Sequence, residues 1–194
     1  LSGEPLHRRG YREESGEAPL RENRAAALLK FAGFDGSQKL VDPFCGSGTI
    51  LVEAALMAQN KAPGLLKNPE SFAGTRFIKE LLPALQKVRT DAAKLVKSSP
   101  CQISGADINS MVLKDARENL KRAGCSHLVT LDQRDALKLM TPGALIVCNP
   151  PYGERLQDAE DAAALLSDFV RQVKHFCAPS TLVLVLPKGD MEKS

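Results

Sequence analysis

The stretch KLVDPFCGSGT, residues 39–49, decides the fold. Its first four residues contain a short apolar run, which predicts a buried strand that ends at Asp42. Gly46 and Gly48 follow, and they let the backbone turn tightly and approach a ligand closely because glycine has no Cβ atom. A helical pattern then extends from residue 49 to about residue 60. Strand, glycine turn and helix in this order indicate one βα unit of a parallel sheet.

The remainder of the chain continues the alternation of strands and helices. Pro83 either kinks the helix in which it lies or starts that helix's second half, because proline removes a helical N–H. The alternation predicts an α/β fold: a mainly parallel, twisted, Rossmann-like sheet with helices on both faces. The further strands are predicted in residues 101–107, 127–135, 144–149 and 181–187, and the further helices in residues 19–33, 76–98, 109–124 and about 159–176.

The length suits a single domain. A chain of 194 residues can bury a substantial core. Residues 1–18 are polar and irregular, and we interpret them as an N-terminal extension. Residues 61–98 are interpreted as a helical insertion after the first βα unit. The chain begins at Leu1 without a methionine, which favours a piece of a longer protein.

The composition is that of an ordinary globular protein. Hydrophobic residues make up 43% of the chain and charged residues 25%, an ordinary globular balance. No apolar run approaches the roughly 20 residues that a membrane span needs, and no signal peptide is visible. The net charge of +3 is too small to indicate a nucleic-acid partner unless the basic residues cluster.

The cysteines and histidines have no metal-ligand spacing. The cysteines are odd in number and form no C-x-x-C pair, and the histidines are far apart, so no metal is expected. Buried, reduced thiols in a cytoplasmic protein are the favoured interpretation. These residues are Cys45, Cys101, Cys125, Cys148 and Cys177, with His7, His127 and His175.

Polar groups follow four of the predicted strands. Ligands of open parallel sheets bind beyond the carboxyl ends of the strands. The first strand ends at Asp42, the second at Asp107, the third at Asp135, and the fourth at Asn149-Pro150-Pro151-Tyr152. We therefore expect these groups to meet along one edge of the sheet.

Each of these strand ends has a plainer interpretation. Glycines after a strand also occur in α/β turns that bind no ligand, and the turn here is neither G-x-G-x-x-G nor a P-loop. An acid at the position of Asp107 commonly accepts hydrogen bonds from ribose hydroxyls. The alternative is that it only interacts with the dipole at a helix N-terminus. Asp135, followed by Ala136, would accept from an adenine amino group, or it is an exposed loop acid.

Taken together, these motifs carry a resemblance. DPFCGSGT, GADI, RDA and NPPYGERL resemble the S-adenosylmethionine-dependent amino-methyltransferases. LSGEPLHRRGYR and APLRENRAAALL are similar to bacterial 23S ribosomal RNA guanine-N2 methyltransferases, whose chains also carry an RNA-binding THUMP domain. The resemblance spans nearly the whole chain and is weakest in residues 65–100. It implies an upstream THUMP domain, and further strands beyond the five predicted here.

The resemblance also implies roles for single residues. The turn would hold the methionine part of S-adenosylmethionine, Asp107 its ribose, Ile108 the face of its adenine, and Asp135 with Ala136 the adenine amino group. The turn residues concerned are Asp42, Phe44, Cys45, Gly46, Ser47 and Gly48.

Asn149-Pro150-Pro151-Tyr152 suits methyl transfer to a planar amine. The Asn149 side-chain oxygen and the Pro150 carbonyl can each accept one N–H of such an amine. Pro151 has no N–H and stiffens the loop, so the carbonyl stays available. The Tyr152 ring can stack on a base swung out of its helix. The plainer interpretation is a Pro-Pro turn that ends a strand.

The segment HRRGYR predicts an RNA contact through Arg8, Arg9, Tyr11 and Arg12. Two alternatives to an RNA contact are that the segment is a solvated charged stretch or that it packs over the cofactor. The expected activity is methylation of guanine N2 in 23S ribosomal RNA. Rival activities are tRNA guanine-N2 or adenine-N6 methylation, glutamine-amide methylation, or a non-catalytic binding module.

Overall fold

The computed structural model describes residues 5, 7–12, 20–72, 74, 78, 80–151 and 156–186, with the backbone alone for 156–159. Strands and helices largely alternate along these residues. The strands are β1 (Leu40–Asp42), β2 (Ile103–Asp107), β3 (Val129–Gln133), β4 (Leu145–Cys148) and β5 (Thr181–Leu184). The helices are α1 (Glu22–Phe31), α2 (Thr49–Ala58), α3 (Leu81–Lys94), α4 (Ser110–Arg122) and α5 (Leu156–Phe176). Single 3₁₀ turns span Pro63–Leu66, Pro69–Ser71, Ser126–Leu128 and Ala136–Lys138.

The strands form one parallel sheet in the order β3-β2-β1-β4-β5. The chain builds outward from β1 to β3 and then returns to the other side of β1 for β4. The strand order therefore reverses between β1 and β4, where ligands of such sheets bind. The predicted Rossmann-like parallel sheet is confirmed.

Apolar side chains cover both faces of the sheet. Leu40 and Val41 are adjacent in β1 but belong to different clusters, because successive strand side chains point to opposite faces. Leu40 packs in the cluster that contains residues of α1, α2 and α4. Val41 packs with Phe169 of α5.

Several boundaries differ from the sequence predictions. The strand predicted in 127–135 is shorter, since a 3₁₀ turn precedes it and it ends at Gln133, two residues before Asp135. The last helix begins at Leu156, three residues before the predicted start, because Leu156 and Gln157 are good helix formers and the acid Asp158 suits the first turn of a helix. The first helix begins at Glu22, and Pro19 lies outside the described residues.

Pro83 lies in the first turn of α3 and does not kink it. The first N–H groups of a helix have no intrahelical acceptor, so proline loses no hydrogen bond there. Residues 76, 77 and 79, in the predicted first half of this helix, lie outside the described residues. The remainder of α3 has no buried residue, and Arg89 attaches it to the carbonyls of Gly64 and Leu65.

Within the described residues, every helix is too short or too polar to cross a membrane.

Candidate active site

The glycine turn after β1 combines tight packing with open space. Gly46 and Gly48 have φ angles of 50° and 81°, in the region that favours glycine. A Cβ atom on Gly48 would lie 3.2 Å from the Cβ of Ala116, so α4 packs directly against the turn. A Cβ atom on Gly46 would meet nothing within 4 Å. The turn is therefore supported by α4 on one side and open at Gly46.

Asp42 ends β1 as a buried acid. It is 1% exposed, and its Oδ1 accepts a hydrogen bond from the Phe44 N–H at 3.1 Å. Burial, with a smaller contribution from the nearby charge of Asp107, raises the pKa of Asp42 to about 8. At neutral pH the side chain is mostly a neutral acid that holds the start of the turn.

Asp107 ends β2 and joins it to the glycine turn. Its Oδ2 accepts from the Gly46 N–H at 3.0 Å, and its Oδ1 accepts from the Asn109 N–H at 2.9 Å. Each carboxylate oxygen can accept a further hydrogen bond, so the group keeps capacity for a ligand hydroxyl. The neighbouring Ile108 is 70% exposed and presents an apolar side chain beside this carboxylate.

Cys45 contributes structure to the turn and no reactive thiol. Its N–H donates to the Ala106 carbonyl at 2.9 Å, which fastens the turn to β2. Burial, followed by the charges of Asp42 and Asp107, raises the pKa of the Cys45 thiol far above its usual range. All five cysteines are buried and reduced, as predicted.

Asp135 lies two residues beyond β3 and caps the 3₁₀ turn that follows. Its Oδ1 accepts from the Leu137 N–H at 2.9 Å. Asp135 is partly exposed, whereas Ala136 is buried. Because β3 pairs with β2, this carboxylate lies at the edge that also carries Asp107. Its predicted contact with adenine stays a prediction.

Asn149, Pro150 and Pro151 follow β4 directly. Asn149 is partly exposed, Pro150 is buried and Pro151 is exposed. The last hydrogen bond between β4 and the chain after β5 is donated by the Val185 N–H to the Cys148 carbonyl, at 3.1 Å. Since β4 neighbours β1, the loop starts across the strand-order reversal from the glycine turn. Tyr152 lies outside the described residues.

The N-terminal segment packs along α2. Tyr11 is only 1% exposed, and its hydroxyl donates to Glu53 Oε1 at 3.4 Å. Arg9 donates to both oxygens of Glu53, at 3.4 and 3.5 Å. Arg12 donates to the Leu20 carbonyl at 3.4 Å. Arg12 also donates to the hydroxyl of Thr49, the first residue of α2.

This placement corrects one prediction. A ring that is 1% exposed has no face for an RNA base, so Tyr11 belongs to the core and not to an RNA surface. The alternative of packing beside the cofactor turn suits the segment better, since Arg12 reaches the start of α2. Arg8 is exposed, and Arg9 and Arg12 are partly exposed. Their RNA contacts remain untested.

Two residues at the turn were missed by the sequence analysis. Asn119 is 3% exposed, and its Nδ2 donates to the Ser47 carbonyl at 2.9 Å. Arg122 Nε donates to the Tyr11 carbonyl at 2.7 Å. The available signal was a polar residue on the apolar stripe of α4, which also contains Leu113 and Ala116.

The described residues contain no group of three or more histidine, cysteine, aspartate or glutamate side chains that could hold a metal ion.

Comparison with known proteins identifies the domain. Residues 9–193 match the family described as RMKL-like, methyltransferase domain. A curated relative, the ribosomal RNA large subunit methyltransferase K/L of Aliivibrio fischeri (strain MJ11), is 42% identical over 197 aligned residues. That match covers 98% of the present chain but 28% of the relative, so the chain spans little more than a quarter of its length.

Solved structures support the same domain. A protein from Listeria monocytogenes str. 4b F2365, named as a predicted N6-adenine-specific DNA methylase, has a TM-score of 0.80 and 34% identity. The alignment covers 92% of this chain and 47% of that one. The protein SMU.472, solved as a complex with SAH (S-adenosylhomocysteine), has a TM-score of 0.75 and 32% identity, over 88% of this chain and 45% of that one.

Proposed function

The chain belongs to the RMKL-like methyltransferase-domain family, and from this premise we propose that it transfers a methyl group from S-adenosylmethionine to the N2 amine of a guanine in 23S ribosomal RNA. The observation that carries the proposal is that three neighbouring strands end in the proposed site groups: β1 in the glycine turn, β2 in Asp107, which accepts from the Gly46 N–H, and β4 in the Asn149-Pro150 loop. The family gives the methyltransferase assignment, and the target, guanine N2 of 23S ribosomal RNA, is what we propose in addition.

The residues at this edge fit S-adenosylmethionine. The open space at Gly46 admits a ligand against the turn, where the methionine part would lie. Asp107 keeps acceptor capacity for ribose hydroxyls, and the exposed Ile108 offers an apolar face to adenine. Asp135, with Ala136, would read the adenine amino group. When bound, the cofactor would supply a methyl group already activated by positively charged sulfur. The bond from the methyl carbon to N2 would form as its bond to sulfur breaks, with S-adenosylhomocysteine as the leaving group and one N2 proton released to solvent.

Asn149 and Pro150 would orient the target amine. The N2 lone pair of guanine is delocalised into the ring, so the amine is a poor nucleophile until it is fixed in the right geometry. The Asn149 side-chain oxygen and the Pro150 carbonyl each accept one N–H, which aims the lone pair at the methyl group. Fixing two reactants in line can lower a barrier by about 7–11 kcal/mol in ideal cases. Pro151 holds the loop, and Tyr152 would stack on the extruded base.

The nucleic-acid target rests on the sequence relatives. The Aliivibrio fischeri relative is named as a large-subunit ribosomal RNA methyltransferase, whereas the Listeria monocytogenes protein is named for adenine in DNA. We favour ribosomal RNA because of the 42% identity across 98% of the chain and the resemblance of the opening segment. A target of this kind is met in the cytoplasm. Adenine-N6 methylation is the second candidate function.

RNA affinity would come mainly from outside these residues. The 26 basic and 23 acidic residues leave a small positive excess, and phosphate contacts dominate affinity for RNA. Arg8, Arg9 and Arg12 would supply a few such contacts, and an upstream THUMP domain would supply more and raise the local concentration of the target base.

A methyl-transfer assay with Asn149→Ala tests the proposal. Labelled S-adenosylmethionine is mixed with protein-free 23S RNA, tRNA or DNA, and the methylated base is identified by mass spectrometry. The expected product is N2-methylguanine in 23S RNA. We expect Asn149→Ala to lower the single-turnover rate about a hundredfold, by analogy with loss of one pre-organised hydrogen-bond partner, with little change in cofactor affinity.

Asn68→Ala is the matched control, since this exposed asparagine caps the remote turn at Pro69–Ser71 and should leave the rate unchanged. A methyl group on adenine would contradict the guanine assignment. A full single-turnover rate in Asn149→Ala would contradict the proposed chemistry.

A further inference from the structure

A chain of hydrogen bonds links the N-terminal segment to the glycine turn. Arg122 Nε donates to the Tyr11 carbonyl at 2.7 Å, and Arg122 Nη2 donates to Asn119 Oδ1 at 3.0 Å. Asn119 Nδ2 then donates to the Ser47 carbonyl at 2.9 Å. Three parts of the chain that are distant in sequence, at Tyr11, Ser47 and α4, therefore meet through two side chains. We call Arg122 and Asn119 the α4 relay.

Asn119, the inner residue of the α4 relay, lies in the core. Asn119 is 3% exposed, yet both ends of its amide have partners. Leaving a buried amide group without its partner costs about 1–3 kcal/mol, so this geometry is held firmly. Arg122, by contrast, is an exposed residue of the last turn of α4.

Helix α4 also supports the turn by direct packing. A Cβ on Gly48 would touch Ala116, one turn before Asn119 on the same helix. The other fixed points of the turn face the sheet: the Cys45 N–H donates to Ala106, and the Gly46 N–H to Asp107. Ser47, between the two glycines, is held by Asn119.

We propose that Asn119 and Arg122 are positioning residues for cofactor binding, which hold the Ser47 part of the turn in place and tie it to the N-terminal segment. This inference rests on the proposed function for the identity of the ligand. The relay acts on the methionine part of the cofactor, because it holds the Ser47 carbonyl of the turn, whereas Asp107 and Ile108 lie at the end of β2. Binding of the nucleoside part of the cofactor should not depend on the α4 relay.

Two ligands separate these ends. S-adenosylhomocysteine has both the nucleoside and the amino-acid part, whereas 5′-methylthioadenosine lacks the amino-acid part. Kd values for both are measured by calorimetry in the wild type and in Asn119→Leu, Asn119→Asp and Arg122→Gln. Asn119→Asp still accepts from Arg122 but cannot donate to Ser47. Lys121→Gln, an exposed neighbour on α4, is the matched control.

We expect both Asn119 variants to weaken S-adenosylhomocysteine binding about tenfold, as for loss of one buried hydrogen bond, and to leave the Kd for 5′-methylthioadenosine within about twofold. Arg122→Gln should give a smaller loss with the same ligand selectivity, and Lys121→Gln no loss. Equal losses for both ligands, or no loss for S-adenosylhomocysteine, would overturn the proposal. If Asn119→Leu does not fold, Asn119→Asp and Arg122→Gln decide it.

Hydrogen exchange without ligand provides a second, independent measurement. The amides of Gly46 and Gly48 should exchange faster in the Asn119 variants than in the wild type, because the turn loses its fixed point at Ser47. Unchanged exchange would overturn the relay even if the chain bound no cofactor. A wild type that binds neither ligand but shows the exchange effect would instead count against the proposed function alone.

Discussion

The ends of β1 and β2 each carry an aspartate, and the two side chains have opposite environments. Asp42 is 1% exposed and accepts one backbone N–H in a site where burial raises its pKa to about 8. Asp107 is partly exposed and accepts two backbone N–H groups, from Gly46 and Asn109. Adjacent strands of one sheet thus end in a neutral acid and a solvated carboxylate.

The difference indicates that the two aspartates have different tasks: one supports the backbone of the turn, and the other is placed to contact a ligand. A neutral, buried Asp42 holds the backbone of the turn without bringing a second charge close to Asp107. Asp107 is partly exposed, so a ligand hydroxyl can reach its side chain. We therefore propose that Asp42 shapes the site and that Asp107 contacts the cofactor, and three experiments examine this division.

The largest expected effect is the pH dependence of stability at Asp42. An unfolded aspartate loses its proton near pH 4, whereas the folded state keeps it until about pH 8, so the free energy of unfolding falls between these values and levels off above them. A difference of one in pKa corresponds to about 1.4 kcal/mol, so the total loss should reach several kcal/mol.

Asp42→Asn should remove this loss, because asparagine still accepts from Phe44 but does not titrate. Denaturant unfolding from pH 5 to pH 9, without ligand, measures the difference between wild type and variant. Asp132→Asn, at an exposed acid, is the control. Parallel pH profiles for wild type and Asp42→Asn would show that Asp42 is ionised in the fold.

A smaller effect is expected at Gly105, which joins the two strand ends because it pairs with Asp42 and lies two residues before Asp107. A Cβ there would overlap Leu51 Cδ1 and lie 3.1 Å from the Cβ of Cys45. Gly105→Ala should therefore destabilise the protein by about 1–3 kcal/mol through overpacking.

Thermal unfolding measures this effect, with Ser104→Ala as the control on the opposite face of β2. A Gly105→Ala variant as stable as Ser104→Ala would mean that the strand ends tolerate displacement, which would weaken the idea of a rigid site.

The smallest effect concerns Asp107 and the cofactor. Asp107→Ala should weaken S-adenosylhomocysteine binding about tenfold, since a ribose hydroxyl loses a charge-assisted hydrogen bond. Calorimetry is the measurement, and Asp132→Ala on the adjacent strand β3 changes the net charge equally. An unaltered Kd in Asp107→Ala would assign the carboxylate to the backbone of the turn alone.

The sequence predicted the elements that depend on local pattern. The glycine turn, the parallel sheet and the ends of β1 and β2 were predicted where the structure has them, and the end of β4 to within one residue. Residue type and spacing over a short stretch of chain decide these features. Less local features were missed. Tyr11 looked like a surface aromatic among arginines, and its partner Glu53 is 42 residues away.

The sequence by itself determined the order of strands and helices, the positions of the glycines and the polar groups at the strand ends. Only the tertiary structure decided that Asp42 is buried and neutral, that Tyr11 lies in the core, and that Asn119 supports Ser47 from 72 residues away. The physical reason is that burial and partnership depend on which distant segments pack together. The periodicity of the sequence does not show which segments pack together. Desolvation and hydrogen bonding follow directly from that packing.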